Sequence, residues 1–241
     1  MAKLQTSMEP AETIRTAVAA VSLLRLQTAA SPRLLQAVRR IKLFQAHRFR
    51  ITYADLLESN DYGPAAQFFL DELYSDKDFE QRDAQFSKIA GALQTLFPKQ
   101  VLNTAVTLAQ LHRLTEELDH KMASAALSNP DPDETIAYVK AWDAVGHQSD
   151  RELQLKTVMS VGLELERLTG TPGLHFMLKM MRRPAQAAGL AALQAFLETG
   201  FDTFAEMSKK KLVTTFLSTI EQRESGLIRA LFLRNVSQQN N

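Results

Sequence analysis

Arg82 and Asp83 fall in FFLDELYSDKDFEQRDAQF (residues 68–86), where the pattern calls for an apolar helix face. Phe79, Phe86, Ile89, Ala90, Leu93, Leu96 and Phe97 recur at helical spacings, the signature of a face meant for burial. At roughly 100° per residue, Arg82 lies within about 30° of the centre of that face and Asp83 nearer its edge, at about 70°. A guanidinium there must be paired or wetted, because an unpaired buried charge costs several kcal/mol. Two chemistries follow. One is an ion network that locks helices together, and the other is a bidentate clamp for a carboxylate or phosphate. Asp78 stands four residues before Arg82, the spacing of a helical ion pair, with Tyr74 one turn earlier. Tyr53 and Asp55, in ITYADLL, are further candidate partners. The network is the favoured reading and the clamp the sharper one.

LHRLTEELDH offers a second constellation. His112, Glu116 and His120 share one helix face at i, i+4 and i+8, and Glu117 with His120 forms a single Glu-x-x-His. Di-iron carboxylate bundles need two such motifs plus two further glutamates on separate helices. None of the other histidines follows an acid by three residues, so the second motif is missing. The core stripe of Leu111, Leu114, Leu118 and Met122 points away from Glu116 and His120 by about 155–165°, and from His112 by about 115°. A solvated polar face is therefore expected there, with metal binding as the alternative. His175 stands alone among Phe176, Met177, Leu178, Met180 and Met181. It is a haem ligand or pH sensor in one reading, and a satisfied, partly buried histidine in the favoured one. The Met/Ala character here points to close helix packing or a homodimer surface. No cofactor is assigned.

These residues need rigid elements to position them, and the sequence supplies helices. Glycines and prolines are few, nine and eight in 241 residues, while Ala, Leu, Gln and Glu abound. A hydrophobic content of 45% suffices for a substantial core. There is no cysteine, which excludes disulfides, thiol catalysis and thiolate metal sites. Pro10 and Ser31-Pro32 open the first two helices, the second running to about Arg50, with a short one near Tyr53–Glu58. Pro64 starts another, Ser75 or Asp76 caps the next to Phe97, and Pro98 begins a long helix ending near Leu127. Asn129-Pro130-Asp131-Pro132 is the clearest loop, and a division into subdomains would fall at 129–133. Further helices are expected over Asp133–Val145, Ser149–Leu168 and Pro172–Arg182, then one from Pro184 that Gly200 breaks, and a last from about Lys210 to Leu233. The expectation is a single all-α domain over 1–241, a compact array of nine or ten mostly antiparallel helices. Its ordered core would span 10–234 and its frayed tail 235–241.

Charge is segregated. Between Thr13 and Ala54 there is no acid, whereas nine acids face only Lys77 and Arg82 between Asp55 and Asp83. The plain reading is mutual neutralisation of consecutive segments. A nucleic-acid surface on the basic first helices is the weaker alternative, because no aromatic–basic interleaving accompanies it. No run is apolar enough to span a bilayer, and the N-terminus lacks the pattern of a secretory signal, so a cytoplasmic protein is expected.

The blocks QAHRFRITYADLL, FFLDELY, DFEQRDAQF, LHRLTEELDHKM and MRRPAQAAGLAALQAFLETGFDTF, spread from Gln45 to Phe204, resemble an uncharacterised, all-helical family of proteobacterial proteins. The resemblance implies a single helical domain and brings no catalytic residue with it. Phosphate loops, nucleophile elbows, His-Glu-x-x-His and EF-hand patterns are absent from the sequence. The leading functional expectation is a non-enzymatic module binding a protein partner or a small ligand. A haem- or metal-dependent helical bundle using His112, Glu116, His120 or His175 is the runner-up.

Overall fold

The structure, a computed structural model, describes residues 8–238. Among them are twelve helices and no strand: α1 (Pro10–Ala29), α2 (Pro32–Thr52), α3 (Ala54–Leu57), α4 (Gly63–Leu73), α5 (Glu80–Leu96), α6 (Lys99–Ser128), α7 (Glu134–Val145), α8 (Gln148–Thr169), α9 (Leu174–Met180), α10 (Arg182–Ala187), α11 (Ala191–Lys209) and α12 (Val213–Gln238). The all-α expectation holds, and the count exceeds nine or ten in part because the stretch expected as one helix from Pro184 is divided between α10 and α11. No helix of the described residues is long and apolar enough to cross a membrane.

Local chemistry sets most boundaries. Ser31 accepts the Leu34 amide at 3.4 Å ahead of Pro32 in the first turn of α2. Asp133 accepts the Thr135 and Ile136 amides at 2.8 and 3.0 Å and so starts α7. Two expectations fail for identifiable reasons. α5 begins at Glu80 rather than near Ser75, because Asp78 Oδ1 takes the Glu80 amide at 2.8 Å. That bond within a turn competes with helix. Gly200 lies inside α11 and does not break it; a Cβ there would stand 3.0 Å from the ring of Phe68, so the glycine serves a close approach of α4. The break falls at Gly189 instead, whose φ of 72° suits a residue without a Cβ. Of the expected tail 235–241, residues 235–238 belong to α12, and 239–241 lie outside the described residues.

α6 is the hub, packed against α1, α2, α5, α7 and α8. Its N-terminal half joins α1 and α5 in a cluster around Ile14, Ala17, Ala90, Leu93 and Leu102. Its C-terminal half meets α2, α7 and α12 around Ile41, Met122, Tyr138 and Trp142, so helices on both sides of the 129–133 loop share one core. A third cluster joins α2, α4, α11 and α12 through Phe49, Phe69, Phe204 and Phe216. α5 and α6 form a hairpin through Phe97–Pro98. α1 packs along both, and on another side they face α11 and the short helices before it.

Candidate functional site

A cavity of about 330 Å³ lies between the α5–α6 hairpin and α8–α11. Near the hairpin turn its walls are Leu96, Phe97, Val101 and Ala105, and the α9–α11 side contributes Met177, Leu178, Met181 and Leu193. Toward the open end of the hairpin the walls become charged, with Arg82, Asp83, His112 and Glu116 joined by Glu72 and Lys42. α9 turns Leu174, Met177 and Leu178 to the cleft, while Phe176 and Met180 are exposed.

Arg82 is a wall residue of this cleft. Its guanidinium lies over Phe79, 3.9 Å from the ring centroid, and over Phe196 at 4.7 Å. Its carboxylate partner is not Asp78. Glu72 Oε2 receives Nη1 at 2.6 Å, and Asp83 Oδ1 lies 3.6 Å from Nε. Asp78 is occupied in the turn that starts α5, outside the helical geometry that would have brought it to Arg82. Asp83 is only 3% exposed and receives Arg25 Nη2 at 2.7 Å from α1 and pairs with His112 Nε2 at 2.8 Å from α6. Burial pushes its carboxyl up, yet the His112 and Arg25 contacts outweigh it and hold the group below its ordinary value.

The structure separates the three-residue face of α6 rather than gathering it round a metal. His112 meets Asp83, Glu116 receives Lys42 Nζ at 2.5 Å, and His120 Nδ1 lies 3.1 Å from Thr28 Oγ1. The solvated polar face expected from the stripe is not what forms: α1, α2 and α5 cover it, and the Glu116 side chain keeps 12% of its exposure. A hub helix is buried on more sides than one apolar stripe records. Among the described residues no group of three or more His, Asp or Glu could hold a metal ion. His175 pairs with Asp202 Oδ1 at 2.5 Å and stacks on Phe201.

Tyr53 and Asp55 lie apart from the cleft, whereas Tyr74 is one of its wall residues. Tyr53 donates its hydroxyl to Glu224 Oε1 at 2.8 Å, and Arg48 grips the same carboxylate through Nη1 and Nη2 at 2.8 and 3.1 Å. Burial and the adjacent Glu224 charge push the Tyr53 phenol far above its usual value. Burial works against the Arg48 charge, but Glu224 outweighs it and raises the guanidinium further. Tyr74 packs on Phe49 and lies under Arg48, and burial, then the Glu224 charge, raises its hydroxyl too. Asp55 forms a two-pronged pair with Arg223, both contacts at 2.7 Å. None of the three partners Arg82. The charge segregation resolves only in part as expected: Arg25–Asp83 and Arg39–Asp76 join the basic and acidic segments, whereas Lys42, Arg40 and Arg48 reach Glu116, Glu134 and Glu224.

A clasp unforeseen from sequence holds the short helices onto α11. Glu198 receives Arg182, and Gln194 Nε2 reaches both the Leu178 carbonyl at 2.7 Å and Glu198 at 2.9 Å. Gln85 Oε1 accepts the Leu193 amide at 2.8 Å, answering an unpaired donor of the α11 N-terminus from α5. Glu224 had a readable signal, since it sits between Ile220 and Ile228 at four-residue spacings on one buried face, as Arg82 does on its own stripe.

Asp119 is 3% exposed and accepts Gln45 Nε2 at 3.0 Å. Its carboxyl is raised, chiefly by burial, even with Lys42 and Arg151 nearby. A raised acid favours its protonated form in the fold, so ionisation at neutral pH opposes folding. Asp119→Asn should therefore raise, not lower, the melting temperature at pH 7. The gain should shrink as pH falls from the raised value toward the ordinary one and Asp119 itself becomes neutral. Thermal unfolding followed by circular dichroism from pH 7 to 4 checks this; a lower melting temperature at pH 7 would show that the ionised form is needed.

No curated protein and no solved structure matches this chain. Residues 24–238, nearly its whole length, match the family described as "Domain of unknown function (DUF8198)", and the chain belongs to that family.

Proposed function

We propose that this helical domain binds a small apolar or amphipathic molecule in the cleft between the α5–α6 hairpin and α9–α11. The observation that carries the reading is the cleft itself: about 330 Å³, with aliphatic and aromatic walls and its charged residues gathered at one end. An apolar cavity of about 150 Å³ already accepts a benzene-sized guest, and ligand sites begin at about 300 Å³. A guest filling this space would gain the dispersion contacts that walls facing each other across a gap do not make. Met177 and Met181 add adaptable side chains to the wall, suited to a ligand of irregular outline. Arg82, pinned by Glu72 and two aromatic rings, shapes the charged end rather than swinging freely.

The neutral dye N-phenyl-1-naphthylamine tests this. Its emission should rise saturably with the purified protein. Leu108→Trp and Leu197→Trp, at two wall positions on different helices, should each weaken its binding at least tenfold while preserving the helical circular-dichroism spectrum. Absence of saturable binding, or equal binding by both folded variants, would overturn the reading.

A further inference from the structure

Behind the charged end of the cleft lies a second cavity of about 80 Å³, sharing the Tyr74, Thr115 and Asp119 walls with the first. Its other walls include Arg48, Trp142, Arg151 and Glu224. Arg151 is the unusual member. It is 5% exposed, its guanidinium lies over the Trp142 ring at 4.3 Å, and its Nε and Nη2 have no hydrogen-bond partner. Trp142 is also 5% exposed and its Nε1 is equally unpartnered. The nearby acids are engaged: Glu224 holds Arg48 and Tyr53, and Asp119 accepts Gln45. A buried cation with a free planar fork, beside a free indole N–H, presents donors only, a pattern that calls for an acceptor bearing negative charge.

We propose that this inner cavity is an oxyanion site of carboxylate class, in which Arg151 Nε and Nη2 grip the two oxygens and Trp142 Nε1 donates to one of them. The size fits, because one water needs only about 10–15 Å³ on a comparable probe measure and this space is several times larger. Two parallel N–H donors match the spacing of a carboxylate, which a lysine at the same place would not do. The carboxylate can come from a free small acid or from the head of an amphipathic molecule whose body lies in the main cleft. The anion site stands on Arg151 and Trp142 alone and does not require the cleft reading.

Trp142 is the only tryptophan of the chain and so reports on its own site. Sodium acetate and sodium dodecanoate are titrated separately at constant ionic strength, with the emission of Trp142 and the melting temperature both recorded. A saturable emission change accompanied by a concentration-dependent rise in melting temperature is expected for at least one of them. Dodecanoate acting at concentrations at least a hundredfold below acetate identifies an amphiphile's head group. Comparable concentrations, or a response to acetate alone, identify a free small acid. Arg151→Lys should weaken the effective anion at least tenfold, and Asp119→Asn, which removes a competing carboxylate from the cavity wall, should tighten it. Absence of both an emission change and a melting shift in the unaltered protein overturns the proposal whether or not the variants fold. An unchanged response in folded Arg151→Lys overturns it as well.

Discussion

Glu224→Ala should lower the melting temperature by about 10 °C, the largest loss expected from one surface-distant side chain. The substitution leaves the Arg48 guanidinium, largely buried, without the carboxylate that grips it twice, and leaves the Tyr53 hydroxyl without its acceptor. Breaking a buried pair from one side costs about 3–5 kcal/mol. For a chain of this size each kcal/mol moves the midpoint by roughly 2–4 °C. The pair as a whole is a weaker source of stability than that loss implies, because both ions were taken out of water to form it. Arg48→Met combined with Glu224→Leu should therefore recover much of the deficit. Thermal unfolding of the single and double variants separates the two quantities. If Glu224→Ala melts within about 2 °C of the parent, by the same size scaling, the network contributes little.

Asp83→Ala should cost about 2–4 kcal/mol at neutral pH, since one 3%-exposed carboxylate ties α1, α5 and α6 together through Arg25 and His112. The effect carries a pH signature. Asp83 is held below its ordinary value of 3.8, so its stabilisation is fully present above that value and is lost as pH falls through the lower value of the folded state. The gap between parent and variant should thus stay constant down to about pH 4 and close below it. Urea titrations between pH 7 and 2.5 read this directly. A gap that persists undiminished at the acid end would assign the loss to packing rather than to charge.

The pattern of the chain made the helices and many of their ends legible, because Ser31-Pro32, Pro98 and Asp133 act within one turn of themselves. It also singled out Arg82 and Asp83 as charges on a face meant for burial, and both line the cleft between the α5–α6 hairpin and α8–α11. What it did not reveal were partners set by tertiary contact. Glu72 reaches Arg82 from α4 across a non-helical stretch that Asp78 itself helps to create. The expected solvation of the His112–Glu116–His120 face failed for a related reason: periodicity along one helix cannot show how many neighbours surround it. Arg151 gave no signal at all. Its isolation depends on Asp119 and Glu224 being occupied by residues far away in the chain.

The packing of α1 along both α5 and α6 bears on where this protein can safely be cut. The family match begins at residue 24, inside that helix, yet Ile14 and Val21 are fully buried and Val18 lines the cleft. Each such side chain contributes about 1.5–3 kcal/mol by its burial. A chain trimmed to the boundary of sequence similarity would lose all three and uncover Ala90 and Leu93 of α5. The sequence signature of the family and the smallest piece able to hold its cleft together are therefore different lengths, and the extra turns belong to the N-terminal side.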